Sequence, residues 1–170
     1  MSTAYWTTID SPLGPLWLTA GDAGLTGLYM GRPPTLDGAG WVEDDSPFTA
    51  ARDQLDGYFA GELREFDVEL NPAGTPFQLE VWAALRAIPY GETRSYREIA
   101  EQIGRPTASR AVGAANGRNP ISIIVPCHRV VGTSGVLTGY AWGLDRKRSL
   151  LDLEIGTTGQ VRLPAPAVVA

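Results

Sequence analysis

At 170 residues, 44% of them hydrophobic and 19% charged, the chain can form one or two small domains with ordinary cores. No apolar run approaches membrane-spanning length, and the first residues lack the basic and apolar regions of a signal peptide. One Cys and one His exclude an internal disulfide and a Cys/His structural zinc site, so no cofactor or metal is expected and a reduced, cytoplasmic setting fits.

The net charge of −5 is unevenly divided: residues 1–76 carry 3 Arg against 12 acids, and residues 77–155 carry 10 basic side chains against 7 acids. Phosphate attraction is a local field, so the second stretch is the candidate nucleic-acid surface.

The first segment predicts antiparallel strands. Tyr5–Ile9, Leu16–Ala20 and Leu25–Met30 are apolar or β-branched runs separated by turn-rich sequence. Gly31–Ser46, with Pro33, Pro34, Gly38, Gly40 and the acids Glu43-Asp44-Asp45, reads as a mobile loop. Phe48–Phe59 carries a helical apolar stripe closed by Gly61, and Phe66–Leu70 alternates as a further strand would. No set of catalytic residues occurs here.

Thr75-Pro76-Phe77-Gln78 combines an N-cap, a proline suited to the first helical turn and a capping-box partner, so a helix begins there and buries Phe77, Val81, Trp82 and Leu85. Ser95-Tyr96-Arg97-Glu98 is a second capping box and opens a helix from Tyr96 to Ile103. Gly104-Arg105-Pro106 breaks it, and Thr107–Asn116 forms the next helix, which makes a helix-turn-helix. Ala108, Ser109, Ala111, Gly113 and Ala114 lack bulk, which leaves Arg110 as the one long cation on a surface able to enter a groove.

Asn119-Pro120-Ile121-Ser122-Ile123-Ile124-Val125-Pro126-Cys127-His128-Arg129-Val130-Val131 then places the lone Cys beside the lone His. Ile121–Val125 reads as buried extended chain bounded by two prolines. A nucleophilic Cys needs a base nearby. Neighbouring side chains on a strand point to opposite faces, so a turn or a water has to connect Cys127 and His128. Further on, Gly132–Gly135 reads as a turn and Thr138–Leu144 follows it. Asp145-Arg146-Lys147-Arg148 opens a last helix with Leu150, Leu151 and Leu153 inward, and its cations read as a solvated face.

Pro-Cys-His-Arg-Val with its flanks resembles the active-site signature of the O6-alkylguanine-DNA alkyltransferases, and the resemblance runs from about Thr75 to Glu154, more weakly through the N-terminal segment. It implies an α+β protein: a small antiparallel-sheet, ribonuclease H-like domain over 1–74, a mainly helical domain with the helix-turn-helix over 75–155, and a flexible tail over 156–170. It also implies a cofactor-free, single-turnover transfer of an alkyl group, chiefly methyl, from O6 of guanine in duplex DNA to Cys127, with O4 of thymine as a second substrate. Glu154 would orient His128, His128 would withdraw the Cys127 proton, and Tyr96 would hydrogen-bond to O6. Arg110 would fill the gap left by the flipped nucleotide, while Ala108, Ser109, Ala111, Gly113 and Arg118 meet the minor groove. Asn119, Val130, Tyr140, Ala141 and Trp142 would support the pocket; the small residue common after the Ala141 position is Trp142 here, which bears on bulky adducts. The protein is expected to be a monomer in solution, with cooperative assembly on DNA left open. A regulator using the helix-turn-helix alone, a lesion-binding protein without chemistry and a cysteine hydrolase are the rival readings.

Overall fold

A computed structural model describes residues 3–158, which fall into two compact units. One unit runs through Ala73 and also includes Pro120–Ser122; the other holds Gly74–Asn119 and resumes at Ile123.

In the first unit, β1 (Ala4–Ile9), β2 (Leu16–Gly21) and β3 (Gly24–Tyr29) form the antiparallel meander that the alternating runs predict. The β2–β3 turn ends on Gly24, at φ 136°, where a Cβ would lie 2.7 Å from the Glu69 carbonyl oxygen, so only glycine fits. Two expectations fail here. The Gly31–Ser46 loop contains a third pairing: β4 (Trp41–Glu43) lies parallel to β1, so the sheet is mixed, in the order β3-β2-β1-β4. A three-residue edge strand with one exposed Val carries too little alternation to be read from sequence. Phe66–Leu70 is not a strand; only Leu70 makes an isolated bridge, to Leu25. Helix α1 (Thr49–Phe59) buries Ala51, Leu55 and Tyr58, as its stripe predicts.

In the second unit, α2 (Pro76–Arg86) and α3 (Tyr96–Gln102) begin at complete capping boxes built on Thr75/Gln78 and Ser95/Glu98. After α3 the chain reverses at Gly104, whose φ of 75° lets the amide of Arg105 reach back to the Ala100 carbonyl at 2.8 Å. Helix α4 (Ser109–Gly117) begins two residues later than expected, because Ala108 is its cap and offers no side-chain acceptor. Its buried face is Val112, Ala115 and Asn116, and the Trp82 indole N–H on α2 donates to the Ala115 carbonyl at 2.8 Å.

Ile121–Val125 is buried, yet it is not a strand. Ile121 makes one bridge to Leu28, residues 122–124 form a turn, and Ile123 has φ 72°, the one non-glycine residue with positive φ among the described residues. Pro126, at φ −82° and ψ 63°, adds a tight reversal in which the Cys127 amide donates to the Val125 carbonyl at 2.8 Å. The hydrophobic run marks burial, and the turn residues inside it override the extended reading. Two further short strands, β5 (Arg94–Ser95) and β6 (Val130–Val131), pair in parallel. Helix α5 (Leu144–Thr158) takes in residues 156–158, which the sequence assigns to the tail; residues 159–170 of that expected tail lie outside the described residues.

Candidate active site

The pairing of β5 with β6 is what assembles the site. β5 leads directly into Tyr96, and β6 follows directly from a 3₁₀ turn over Cys127–Arg129. With about three residues per turn, that helix sends Cys127, His128 and Arg129 in three different directions. All three are buried.

Asn119 secures the approach to this turn. Its side-chain amide donates to the Val125 carbonyl at 2.8 Å, tying the two ends of the irregular segment together. The side chains of Asn119 and Tyr140 also lie near enough to the Cys127 thiol to favour its ionised form. From α4, Asn116 Nδ2 donates to the Cys127 carbonyl at 3.4 Å. Burial raises the pKa of Cys127, while the Asn119 side chain, the nearby Lys147 ammonium and the Tyr140 side chain oppose that rise.

His128 Nε2 lies 2.6 Å from Glu154 Oε2, with both side chains fully buried. Glu154 is also held by Arg129, Nε to Oε1 at 2.7 Å and Nη2 to Oε2 at 3.2 Å, and by the Gly91 amide at 3.3 Å. Arg129 donates its remaining branch to the Ile88 carbonyl at 2.7 Å and stands over the Tyr90 ring. Burial alone would raise the carboxyl pKa of Glu154, but His128 and Arg129 outweigh it and keep the carboxyl well below the usual range. Burial depresses His128 against the pull of Glu154, so its neutral form is favoured. A neutral imidazole beside an ionised carboxylate carries its proton on Nε2. Nδ1 is then a lone-pair acceptor, and among the described residues it has no hydrogen-bond partner.

Lys147 corrects the reading of its cluster as a solvated face. It is fully buried, its ammonium donates to the Thr138 carbonyl at 2.7 Å, and burial lowers its pKa to about 8 against the attraction of Cys127. The signal was present: Lys147, Leu150, Leu151 and Glu154 fall at i, i+3, i+4 and i+7, and all four are buried. Arg129 was the second residue missed. It is the one charge inside the apolar signature, and a buried guanidinium requires a carboxylate partner.

Tyr96, at the first position of α3, is half-buried and accepts a hydrogen bond from the Thr138 hydroxyl at 3.0 Å. Val130 is buried in β6, Tyr140 and Trp142 are half-buried, and Ala141 is exposed. On α4, Arg110, Ala111 and the following Arg118 are exposed, while Ala108, Ser109 and Gly113 are partly so. The cationic side chains of Arg110 and Arg118 thus stand away from the face that packs on α2. Among the described residues no three His, Cys, Asp or Glu side chains are grouped to hold a metal ion.

A helix-turn-helix unit carrying a buried Cys, a His–carboxylate pair and a phenol, in a chain that also folds a small sheet unit, points to a DNA-binding group-transfer protein. Comparison with known proteins agrees. Residues 76–156 match the family model for the DNA-binding domain of 6-O-methylguanine DNA methyltransferase, and residues 4–72 match its ribonuclease-like domain. The chain belongs to the 6-O-methylguanine DNA methyltransferase family. The Mycobacterium tuberculosis methylated-DNA–protein-cysteine methyltransferase is 60% identical over 152 residues, covering 88% of this chain and 92% of that one. The relative from Methanosarcina acetivorans is 55% identical, covering 88% and 97%. Among solved structures, the M. tuberculosis O6-methylguanine methyltransferase aligns with a TM-score of 0.84 at 57% identity over 96% of both chains. A structure of the M. tuberculosis protein in complex with DNA aligns with the same score at 58% identity, over 90% and 94%.

Proposed function

We propose that this protein repairs alkylated duplex DNA by moving the alkyl group from O6 of guanine, and from O4 of thymine, onto Cys127 in a single turnover. The observation that carries the reading is the buried chain of His128, Glu154 and Arg129, which begins at the residue next in sequence to the one buried Cys.

Arg129 and the Gly91 amide fix Glu154, and Glu154 fixes the His128 tautomer with Nδ1 as the acceptor. The Cys127 proton passes to Nδ1 through a water, and the Lys147 ammonium and the Asn119 amide favour the thiolate that forms. The thiolate attacks the alkyl carbon in line: the S–C bond forms as the C–O6 bond breaks. Negative charge develops on the departing base, where the Tyr96 hydroxyl donates a hydrogen bond to O6. A thioether does not return the group, so each molecule acts once.

The reacting atom is hidden in the duplex, so the nucleotide is turned out of the stack. The small residues of α4 allow close approach to the minor groove, and Arg110 enters the gap, offsetting part of an unstacking cost of about a few kcal/mol. A thiol acceptor must stay reduced, which supports a cytoplasmic setting.

Intact-mass measurement after incubation with an O6-methylguanine duplex tests the reading. A gain of one methyl in the wild type and none in Cys127→Ala is the expected result. No gain in wild type despite binding would indicate a lesion binder, and repeated turnover of a separate substrate would indicate a hydrolase.

A further inference from the structure

The proposed role of Tyr96 imposes a condition on its neighbours. O6 of an alkylated guanine has no hydrogen and can only accept, so the phenol must spend its single proton on the base. A phenol O–H stays near the ring plane and has two favoured directions, one of which must be closed off for the proton to point steadily at O6. In the structure the Thr138 hydroxyl donates to the Tyr96 oxygen at 3.0 Å. That bond occupies one acceptor site of the phenol and leaves its proton for another partner.

Thr138 is itself held on several sides. Lys147 donates to its backbone carbonyl at 2.7 Å. The turn behind it is closed by the Gly132 amide to the Val136 carbonyl at 2.7 Å. A Cβ added at Gly132 would stand 3.4 Å from the Thr138 methyl, so that methyl lies close over the turn. The ring of Tyr96 lies against Gly113 of α4, 3.7 Å from where a Cβ would stand. Both partners of the hydrogen bond are therefore positioned by packing, and the direction of the bond matches the one that alkyl transfer demands.

We infer that Thr138 is a positioning residue for the reaction: by donating to Tyr96 it turns the phenol proton towards O6 and polarises that O–H for the developing charge. The inference rests on the proposed role of Tyr96, and on alkyl transfer as the activity.

The test uses the full chain and a methyl-transfer time course on an O6-methylguanine duplex. Thr138→Val keeps the shape and the carbonyl that Lys147 holds but removes the hydroxyl. It should transfer about tenfold more slowly, equivalent to about 1.4 kcal/mol, and Thr138→Ser should restore the rate. Alkylation of Cys127 by iodoacetamide, which involves no guanine leaving group, should proceed at the wild-type rate in both variants. In a Tyr96→Phe background the Val substitution should add no further loss. A wild-type transfer rate in Thr138→Val, an equal fall in iodoacetamide reactivity, or a full additional loss on Tyr96→Phe would each overturn the inference. If instead wild type itself gains no methyl, the proposed function fails, and that result is distinct from any of these.

Discussion

The guanidinium of Arg129 grips the carboxylate of Glu154 with two nitrogens, at 2.7 and 3.2 Å, across 25 residues of sequence and in the protein interior. The same carboxylate takes the His128 imidazole at 2.6 Å, so the orientation of that imidazole depends in part on the Arg129 guanidinium. Replacing Arg129 with Met leaves Glu154 buried with one partner fewer. Breaking such a pair costs about 3–5 kcal/mol. At about 2–4 °C per kcal/mol for a chain of this size, the melting temperature should fall by roughly 6–20 °C. Calorimetry or thermal circular dichroism checks this, and a fall of only a degree or two would show that the pair is not the support described.

Lys147 gives a pH signature. Its pKa of about 8 means that its charge is present below that pH and fades above it. A Lys147→Met protein should therefore transfer methyl more slowly than wild type below pH 8, by about tenfold for each unit that the thiol pKa rises. The gap should narrow as pH rises past 8. Stability moves the other way. The folded protein binds the Lys147 proton less readily than the unfolded chain does, so the penalty is fully present below pH 8 and is relieved between there and the ordinary lysine range. Wild type should gain stability across that interval and Lys147→Met should lack the gain. Parallel rate profiles for the two proteins from pH 6 to 9 would remove Lys147 from the thiolate's surroundings.

Arg110 stands exposed on a helix whose neighbouring residues are small. Arg110→Ala should slow repair in duplex DNA by about tenfold or more, since unstacking a base costs a few kcal/mol. Reaction with free O6-methylguanine base should change little. Equal slowing with both substrates would place the effect in the chemistry or the fold.

Trp142, half-buried, supplies a bulky indole next to Tyr140 and Ala141, which are proposed to support the pocket. Methyl transfer should be efficient and reaction with O6-benzylguanine poor, because packed sites accept added volume badly. Trp142→Gly should raise the benzyl rate about tenfold, corresponding to about 1.4 kcal/mol, and change the methyl rate far less. Equal benzyl rates in the two proteins would mean that the indole points away from the pocket.

The local signals in the sequence were the dependable ones. Thr75/Gln78 and Ser95/Glu98 announced two helix starts because a capping box is complete within four residues. The meander β1–β3 followed from alternation. What escaped depends on pairing between distant segments: β4 beside β1, and β5 beside β6, are two or three residues long and gain their form from the partner strand. The active-site segment shows the same limit from another side. Its apolar run signalled burial, but a left-handed Ile123 has no sequence marker. Arg129 and Lys147 were overlooked because a charge is ordinarily read as solvent-facing, although the helical spacing of Lys147 with Leu150, Leu151 and Glu154 already placed it inward.

Pro120–Ser122 has a consequence for anyone who would separate the two halves. These three residues belong to the sheet unit: the Leu28 amide donates to the Pro120 carbonyl at 2.9 Å, and the Ser122 amide donates to the Leu28 carbonyl at 3.1 Å. A gene truncated at residue 74 would thus remove the partner of a short piece of backbone that lies just ahead of Cys127 in the chain. The severed fragment would carry two unmatched peptide groups, the Pro120 carbonyl and the Ser122 amide. Chain from both sides of residue 74 is thus built into the sheet unit, whose backbone pairing is complete only when residues 120–122 are present.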